Sequence, residues 1–187
     1  MNLPNCITAT RLLLAPIVVA LIIKDTPEYL LVALVIMGLA EFSDFLDGYL
    51  ARKMNCVSLW GKFFDPLCDV FFHLSLFFAL SLAGNNLILF AISLLILFRE
   101  LLVAYVRAWS AGRGLVFGAM MSGKIKAGSQ ATALFCLVFF RLLMGIGGVR
   151  ESWLLVVYFG CWFFVALAVY MTIRSLIEYC LFARKIA

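Results

Sequence analysis

Four aspartates, Asp44, Asp47, Asp65 and Asp69, are the residues of this 187-residue chain whose type and spacing point most directly to chemistry. Asp44 and Asp47 stand three apart, Asp65 and Asp69 four apart. On helices each pair shares one face. Carboxylates brought that close repel one another, so they either hold protons or gather cations. An all-oxygen donor set without His or Cys suits Mg²⁺ or Mn²⁺ rather than zinc. Two such ions can clamp the oxygens of a phosphoryl group during in-line displacement. The cluster therefore points to metal-assisted phosphate chemistry. A divalent-cation transporter would use the same donors and is the rival from another functional class.

The elements that must position these aspartates cross a membrane. Hydrophobic residues make up 66% of the chain, charged residues 13%, and mean hydropathy is +1.11. Soluble domains average ~45–50% apolar and ~25% charged. That excludes a soluble globular domain, a disordered chain and a collagen-like chain. Crossing the hydrocarbon takes ~20 mostly apolar residues in a helix. Six apolar runs meet the need, at about 8–23, 29–52, 60–83, 86–111, 122–144 and 152–175. Turn residues separate them, among them Asp25-Thr26-Pro27 and Gly84-Asn85-Asn86. The expected fold is a single all-α integral membrane domain over residues 1–187, with six transmembrane helices. The polar opening LPNCITATR is expected to form a short N-terminal interfacial helix. The first apolar run reads as retained rather than as a cleaved signal, because Pro4 precedes it and Lys24-Asp25 follow it. The six cysteines include no C-x-x-C pair and imply neither a disulfide framework nor a zinc site.

Charge sets the orientation. Six spans put eleven Lys and Arg residues on one side and three, Lys24, Arg141 and Arg150, on the other. That bias places both termini in the cytoplasm. The net charge of +5 fits basic loops facing anionic lipid headgroups and requires no nucleic acid. Of the ten acidic residues, six fall within spans: Glu41, Asp44, Asp47, Asp65, Asp69 and Glu100. Ionisable groups inside a membrane are costly and read as functional. Asp44 and Asp47 lie ~12 and ~8 Å before the end of the second span, and Asp65 and Asp69 ~8 and ~13 Å after the start of the third. These two helices, joined by a short loop, are expected as antiparallel neighbours. Their four carboxylates would then meet just below the cytoplasmic headgroups. The outer half of every span is apolar, which leaves a transporter no conduction path.

Residues 44–69, DFLDGYLARKMNCVSLWGKFFDPLCD, fit the pattern D-x2-D-G-x2-A-R-x8-G-x3-D-x3-D at Asp44, Asp47, Gly48, Ala51, Arg52, Gly61, Asp65 and Asp69. This segment resembles the CDP-alcohol phosphatidyltransferase family. The opening, with Pro4, Asn5, Thr8 and Arg11, is similar to the P-N-x-x-T-x-x-R start of many bacterial members. Arg99-Glu100-Leu101 with Arg107, and GKIK at 123–126, are similar to segments of the branch that uses glycerol 3-phosphate. The resemblance implies six transmembrane helices, a homodimer and an active site open to the cytoplasm. It also implies a reaction in which an alcohol hydroxyl attacks the lipid-side phosphorus of CDP-diacylglycerol and CMP leaves. By motif position, Asp44, Asp47, Asp65 and Asp69 ligate two Mg²⁺ or Mn²⁺ ions, and Asp69 is the general base. Gly48 and Ala51 admit the nucleotide to the helix backbone, Arg52 pairs with the diphosphate, and Asn5 and Thr8 close the nucleotide pocket. Gly61 permits close helix packing.

The acceptor follows from a second set of charges. Arg99, Arg107 and Lys124 lie in the cytoplasmic halves of the fourth and fifth spans. A cationic pocket there suits an acceptor that carries its own phosphate, and poorly suits choline. The charges suit glycerol 3-phosphate or inositol phosphate, and the resemblance of Arg99-Glu100, Arg107 and GKIK to the glycerol-phosphate branch implies glycerol 3-phosphate, giving phosphatidylglycerol phosphate and CMP in phospholipid biosynthesis at a bacterial inner membrane. Inositol phosphate, serine and choline remain as alternatives. Arg99 has a structural alternative in a pair with Glu100. Lys124 and Lys126 point to different faces, and Lys124 is preferred for substrate; positive-inside anchoring is the alternative for Lys126 and the favoured reading for Arg113. The chain departs from the family where many bacterial members have Lys after the last aspartate, since Val70 stands there. His73, one turn past Asp69, reads as a structural hydrogen-bonder. Glu41, one turn before Asp44, is an additional carboxylate that either supports the aspartate ligands or pairs with a basic residue.

Overall fold

The structure is a computed structural model that describes the backbone of residues 3–53, 59–112 and 121–186, with side chains at 10–43, 66–112, 121–123, 125–181 and 183–184. In hydrocarbon every backbone N–H and C=O must be satisfied within the chain, which leaves helices as the natural solution for these apolar runs. Among the described residues there are six: α1 (Leu3–Lys24), α2 (Pro27–Lys53), α3 (Leu59–Ala83), α4 (Leu87–Ala111), α5 (Met121–Ile146) and α6 (Glu151–Ile186). Among the described residues four segments are long and apolar enough to cross a membrane: Pro66–Ala83, Leu87–Ala111, Met121–Ile146 and Glu151–Leu181.

Two boundaries differ from expectation. The opening residues do not form a separate interfacial helix, because α1 is continuous from Leu3 to Lys24. Their polarity is accommodated as the first turns of one helix, and Pro4 sits where a missing N–H costs nothing. At the other end α6 continues well past residue 175 and reaches 36 residues. No Gly or Pro interrupts RSLIEYCLFARKI. At 1.5 Å per residue α6 is ~54 Å long, well beyond the ~30 Å of a hydrocarbon core.

The turns follow their residues. Asp25 and Asn85 take positive φ, 52° and 46°, a region that Asp and Asn enter more readily than most residues. Asn86 caps α4, its side-chain oxygen accepting from the backbone N–H of Ile88 at 3.0 Å and of Leu89 at 3.1 Å. Gly147 and Gly148, at φ 70° and 71°, turn the chain from α5 into α6. Arg141 braces this end of the bundle. Its Nε donates to Asp25 Oδ1 at 2.8 Å, and its Nη2 donates to Asp25 Oδ2 and, at 3.1 Å, to the Ala83 carbonyl.

α1 packs against both α2 and α3, α5 against α2 and α6, and α4 against α3 and α6. α2 and α3, expected as antiparallel neighbours, are joined by a connection that lies outside the described residues. Their described residues meet through the Glu41–His73 hydrogen bond rather than along a helix interface, with α1 packed on both. Ile22, Met37, Phe72, Phe77, Leu134 and Val165 are buried in one core. Leu87, Phe159 and Phe163 are more than 60% exposed, which makes the outer surface apolar, as contact with lipid requires.

Candidate active site

Asp69 is held from inside the bundle and open on its outer side. Its carboxylate is 28% exposed, while Arg11 and His73 beside it are 3% and 5% exposed. Arg11 Nη1, from α1, lies 3.7 Å from Asp69 Oδ1. His73, one turn along α3, places Nδ1 3.4 Å from the same oxygen. Its Nε2 is hydrogen-bonded to Glu41 Oε1 of α2 at 2.7 Å. The series Arg11, Asp69, His73, Glu41 thus ties α1, α3 and α2 together at one level. A carboxylate fixed by a buried guanidinium and imidazole, yet reachable, can act on a substrate that enters from outside.

The other motif residues follow on the same helices. Asp44, Asp47, Gly48, Ala51 and Arg52 occupy the final turns of α2, and Gly61 and Asp65 the first turns of α3. Asn5 and Thr8 are in the first turns of α1. The side chains of all these residues lie outside the described ones. Their backbone placement is still informative. Asp44 is one turn beyond Glu41, and Asp65 is one turn before Asp69, in each case toward the α2–α3 connection. With Glu41 bonded to His73, all four aspartates are carried to the same end of the bundle. Hard carboxylate donors in that number fit Mg²⁺ or Mn²⁺.

A second polar cluster joins α4, α5 and α6. Arg99 is 4% exposed. Its Nη1 donates to both oxygens of Glu100 at 2.9 Å, and its Nη2 to the Ser175 hydroxyl. Lys126 Nζ donates to Glu100 Oε1. Arg107 Nη2 donates to the Tyr179 hydroxyl at 2.5 Å. The buried Tyr179 ring lies under both guanidinium groups, 5.6 Å from Arg99 and 5.3 Å from Arg107. Two of these three cations, Arg99 and Lys126, share one carboxylate, Glu100. The Nε atoms of Arg99 and Arg107 are buried without a hydrogen-bond partner, and Arg107 has no carboxylate partner among the described residues. Surplus positive charge with unsatisfied donors suits an anionic ligand. α3, which carries Asp69 and His73, packs against α5, which carries Lys126.

Arg99 and Arg107 are thus brought together, and the Glu100 pairing foreseen for Arg99 is present alongside. Lys126 is not a peripheral anchor. It is 5% exposed and paired with Glu100, because its face of α5 turns inward. The Lys124 side chain and Arg113 lie outside the described residues. Sequence reasoning passed over Arg11 as a site residue, and Ser175 and Tyr179 altogether. Thr172, Ser175 and Tyr179 stand at i, i+3 and i+7, a polar stripe on an apolar helix, and all three are buried. That spacing was the available signal.

Comparison with known proteins gives a consistent family. The CDP-alcohol phosphatidyltransferase family model matches residues 1–173. A CDP-diacylglycerol–glycerol-3-phosphate 3-phosphatidyltransferase of Bacillus subtilis (strain 168) is 34% identical over 156 residues, covering 75% of this chain and 78% of the relative. A protein of the same name from Wigglesworthia glossinidia brevipalpis is 28% identical over 141 residues, covering 74% and 77%. One from Treponema pallidum (strain Nichols) is 39% identical over 102 residues, covering 54% and 44%. With the family model spanning nearly the whole chain, this membrane protein belongs to the CDP-alcohol phosphatidyltransferase family and is a transferase of phospholipid biosynthesis.

Proposed function

We propose that the protein transfers the phosphatidyl group of CDP-diacylglycerol to glycerol 3-phosphate, giving phosphatidylglycerol phosphate and CMP. The observation that carries this acceptor is the Arg99–Arg107–Tyr179 cluster, in which two guanidinium groups face one buried ring and each keeps a buried Nε without a hydrogen-bond partner. The names of the relatives support the same acceptor. All six helices cross a bacterial inner membrane in this reading, with both termini and the site at the cytoplasmic face, and two copies form a homodimer.

A primary alcohol is a weak nucleophile at neutral pH, so the reaction needs a base placed at its hydroxyl. Asp69 takes that proton as the alcohol oxygen bonds to the lipid-side phosphorus. The bond from this phosphorus to the bridging oxygen breaks, and CMP departs with the electron pair. Arg52 holds the diphosphate as a planar fork, with Gly48, Ala51, Asn5 and Thr8 around the nucleotide. Arg107, Arg99 and Lys124 hold the acceptor's phosphate. Two Mg²⁺ or Mn²⁺ ions at Asp44, Asp47, Asp65 and Asp69 would supply neutralisation of the diphosphate and polarisation of its phosphorus.

Two measurements follow. Purified protein in vesicles with CDP-diacylglycerol and glycerol 3-phosphate should form a lipid product retaining the acceptor phosphate, seen by mass spectrometry. Chelation should abolish it and added Mg²⁺ or Mn²⁺ restore it; product formation that persists in chelator would overturn the metal requirement. Arg107→Ala should raise KM for glycerol 3-phosphate ~10–100-fold, the loss expected for one charged hydrogen-bond partner at ~1.5–3 kcal/mol. KM for CDP-diacylglycerol should stay within about twofold, since no contact is assigned between them. Equal rises in both would remove Arg107 from the acceptor site.

A further inference from the structure

We propose that Glu41 and His73 are positioning residues for the carboxylate cluster: their hydrogen bond sets the spacing of α2 and α3 and backs the Asp69 carboxylate. This rests on the reading that the four aspartates bind a divalent cation.

The aspartates are divided between two helices, two on α2 and two on α3. An ion held by both halves depends on how far apart those helices stand. Mg²⁺ demands near-octahedral geometry at ~2.0–2.1 Å, so a shift of a few tenths of an ångström matters. Among the described residues α1 packs against each helix, while the direct tie between α2 and α3 is Glu41 Oε1 to His73 Nε2 at 2.7 Å. The tie is well placed for this task. Glu41 is one turn from Asp44, and His73 is one turn from Asp69, so it lies one turn below the ligands on both helices. His73 is 4% exposed, with the Phe72 ring edge-on at 6.0 Å. The Glu41 bond orients the imidazole so that Nδ1 faces Asp69 at 3.4 Å, and Arg11 reaches the same carboxylate oxygen from α1. Supports of this kind, outside the ligands themselves, commonly govern metal affinity.

The proposal separates hydrogen-bond length from charge. Glu41→Gln keeps an oxygen that can accept from His73 Nε2. Glu41→Asp keeps the charge but withdraws it by one methylene, and Glu41→Ala removes both. Mn²⁺ affinity would be measured by electron paramagnetic resonance on the full chain in detergent, with the unfolding temperature recorded in the absence of metal. Glu41→Ala and Glu41→Asp should weaken Mn²⁺ binding fivefold or more, and Glu41→Gln should stay within twofold of wild type. Wild-type affinity in Glu41→Ala, with only the unfolding temperature lowered, would overturn the proposal and leave a plain structural tie. Loss in Glu41→Gln with retention in Glu41→Asp would overturn it in favour of charge. Failure of the wild-type protein to bind Mn²⁺ would instead overturn the underlying metal reading, and would be seen without any substitution.

Discussion

Asp69→Asn is expected to lower the rate of CMP release ~10²–10⁴-fold, the usual contribution of a placed general base. Asparagine has the same shape and keeps a carbonyl oxygen toward Arg11 and His73, the two groups that flank Asp69 Oδ1. It cannot take the proton of the attacking hydroxyl, and it removes one negative charge from the proposed metal cluster. Both losses act in the same direction. The measurement is steady-state CMP release at saturating CDP-diacylglycerol and glycerol 3-phosphate, with helix content checked by circular dichroism. A rate within tenfold of wild type, from folded protein, would take Asp69 out of the proton transfer.

The second large effect is on stability. Glu100 is the carboxylate that Arg99 and Lys126 share, and both cations are about 95% buried. Glu100→Ala leaves them close together without a counter-charge. Breaking a buried ion pair by removing one partner costs ~3–5 kcal/mol, because the remaining charge is stranded. The variant should show that loss in equilibrium unfolding in detergent. Adding Lys126→Met to Glu100→Ala should recover part of it, since one stranded cation is then gone. A change of under ~1 kcal/mol in Glu100→Ala would mean that the cluster is wet and screened, and that its surplus charge is no argument for a bound anion.

These expectations divide along the line between what local spacing encodes and what only packing decides. The aspartate motif was legible because helical geometry turns spacings of three and four into a shared face, and because Asp44 to Asp69 reads without a gap. The helices were legible for the same reason: apolar runs broken at Asp25, Asn85 and Gly147 leave little choice in a membrane. The end of α6 was not, because the span length sets where a membrane crossing can stop, while the backbone hydrogen bonding continues through LIEYCLFARKI without a Gly or Pro to end it. The opening of α1 misled similarly, its polarity suggesting a separate element where the backbone simply continues. Lys124 and Lys126 show the harder limit. Both are lysines in GKIK, and only the packing of α5 against its neighbours makes Lys126 the partner of Glu100. Glu41 and His73 were each visible as unusual residues one turn from a motif aspartate. Their bond spans 32 residues of sequence, and no local rule joins them.

The central claim is that this chain makes phosphatidylglycerol phosphate, and acceptor-resolved CMP release tests it most directly. Purified protein would be incubated with CDP-diacylglycerol and Mg²⁺, and separately with glycerol 3-phosphate, inositol phosphate, serine or choline, using Asp69→Asn as the blank. The account predicts CMP with glycerol 3-phosphate, little with the others, and none above background in the blank. CMP formed only with another acceptor would contradict the role given to Arg99, Arg107 and Lys124 while keeping the family reaction. CMP formed equally in the blank would contradict the account at its base.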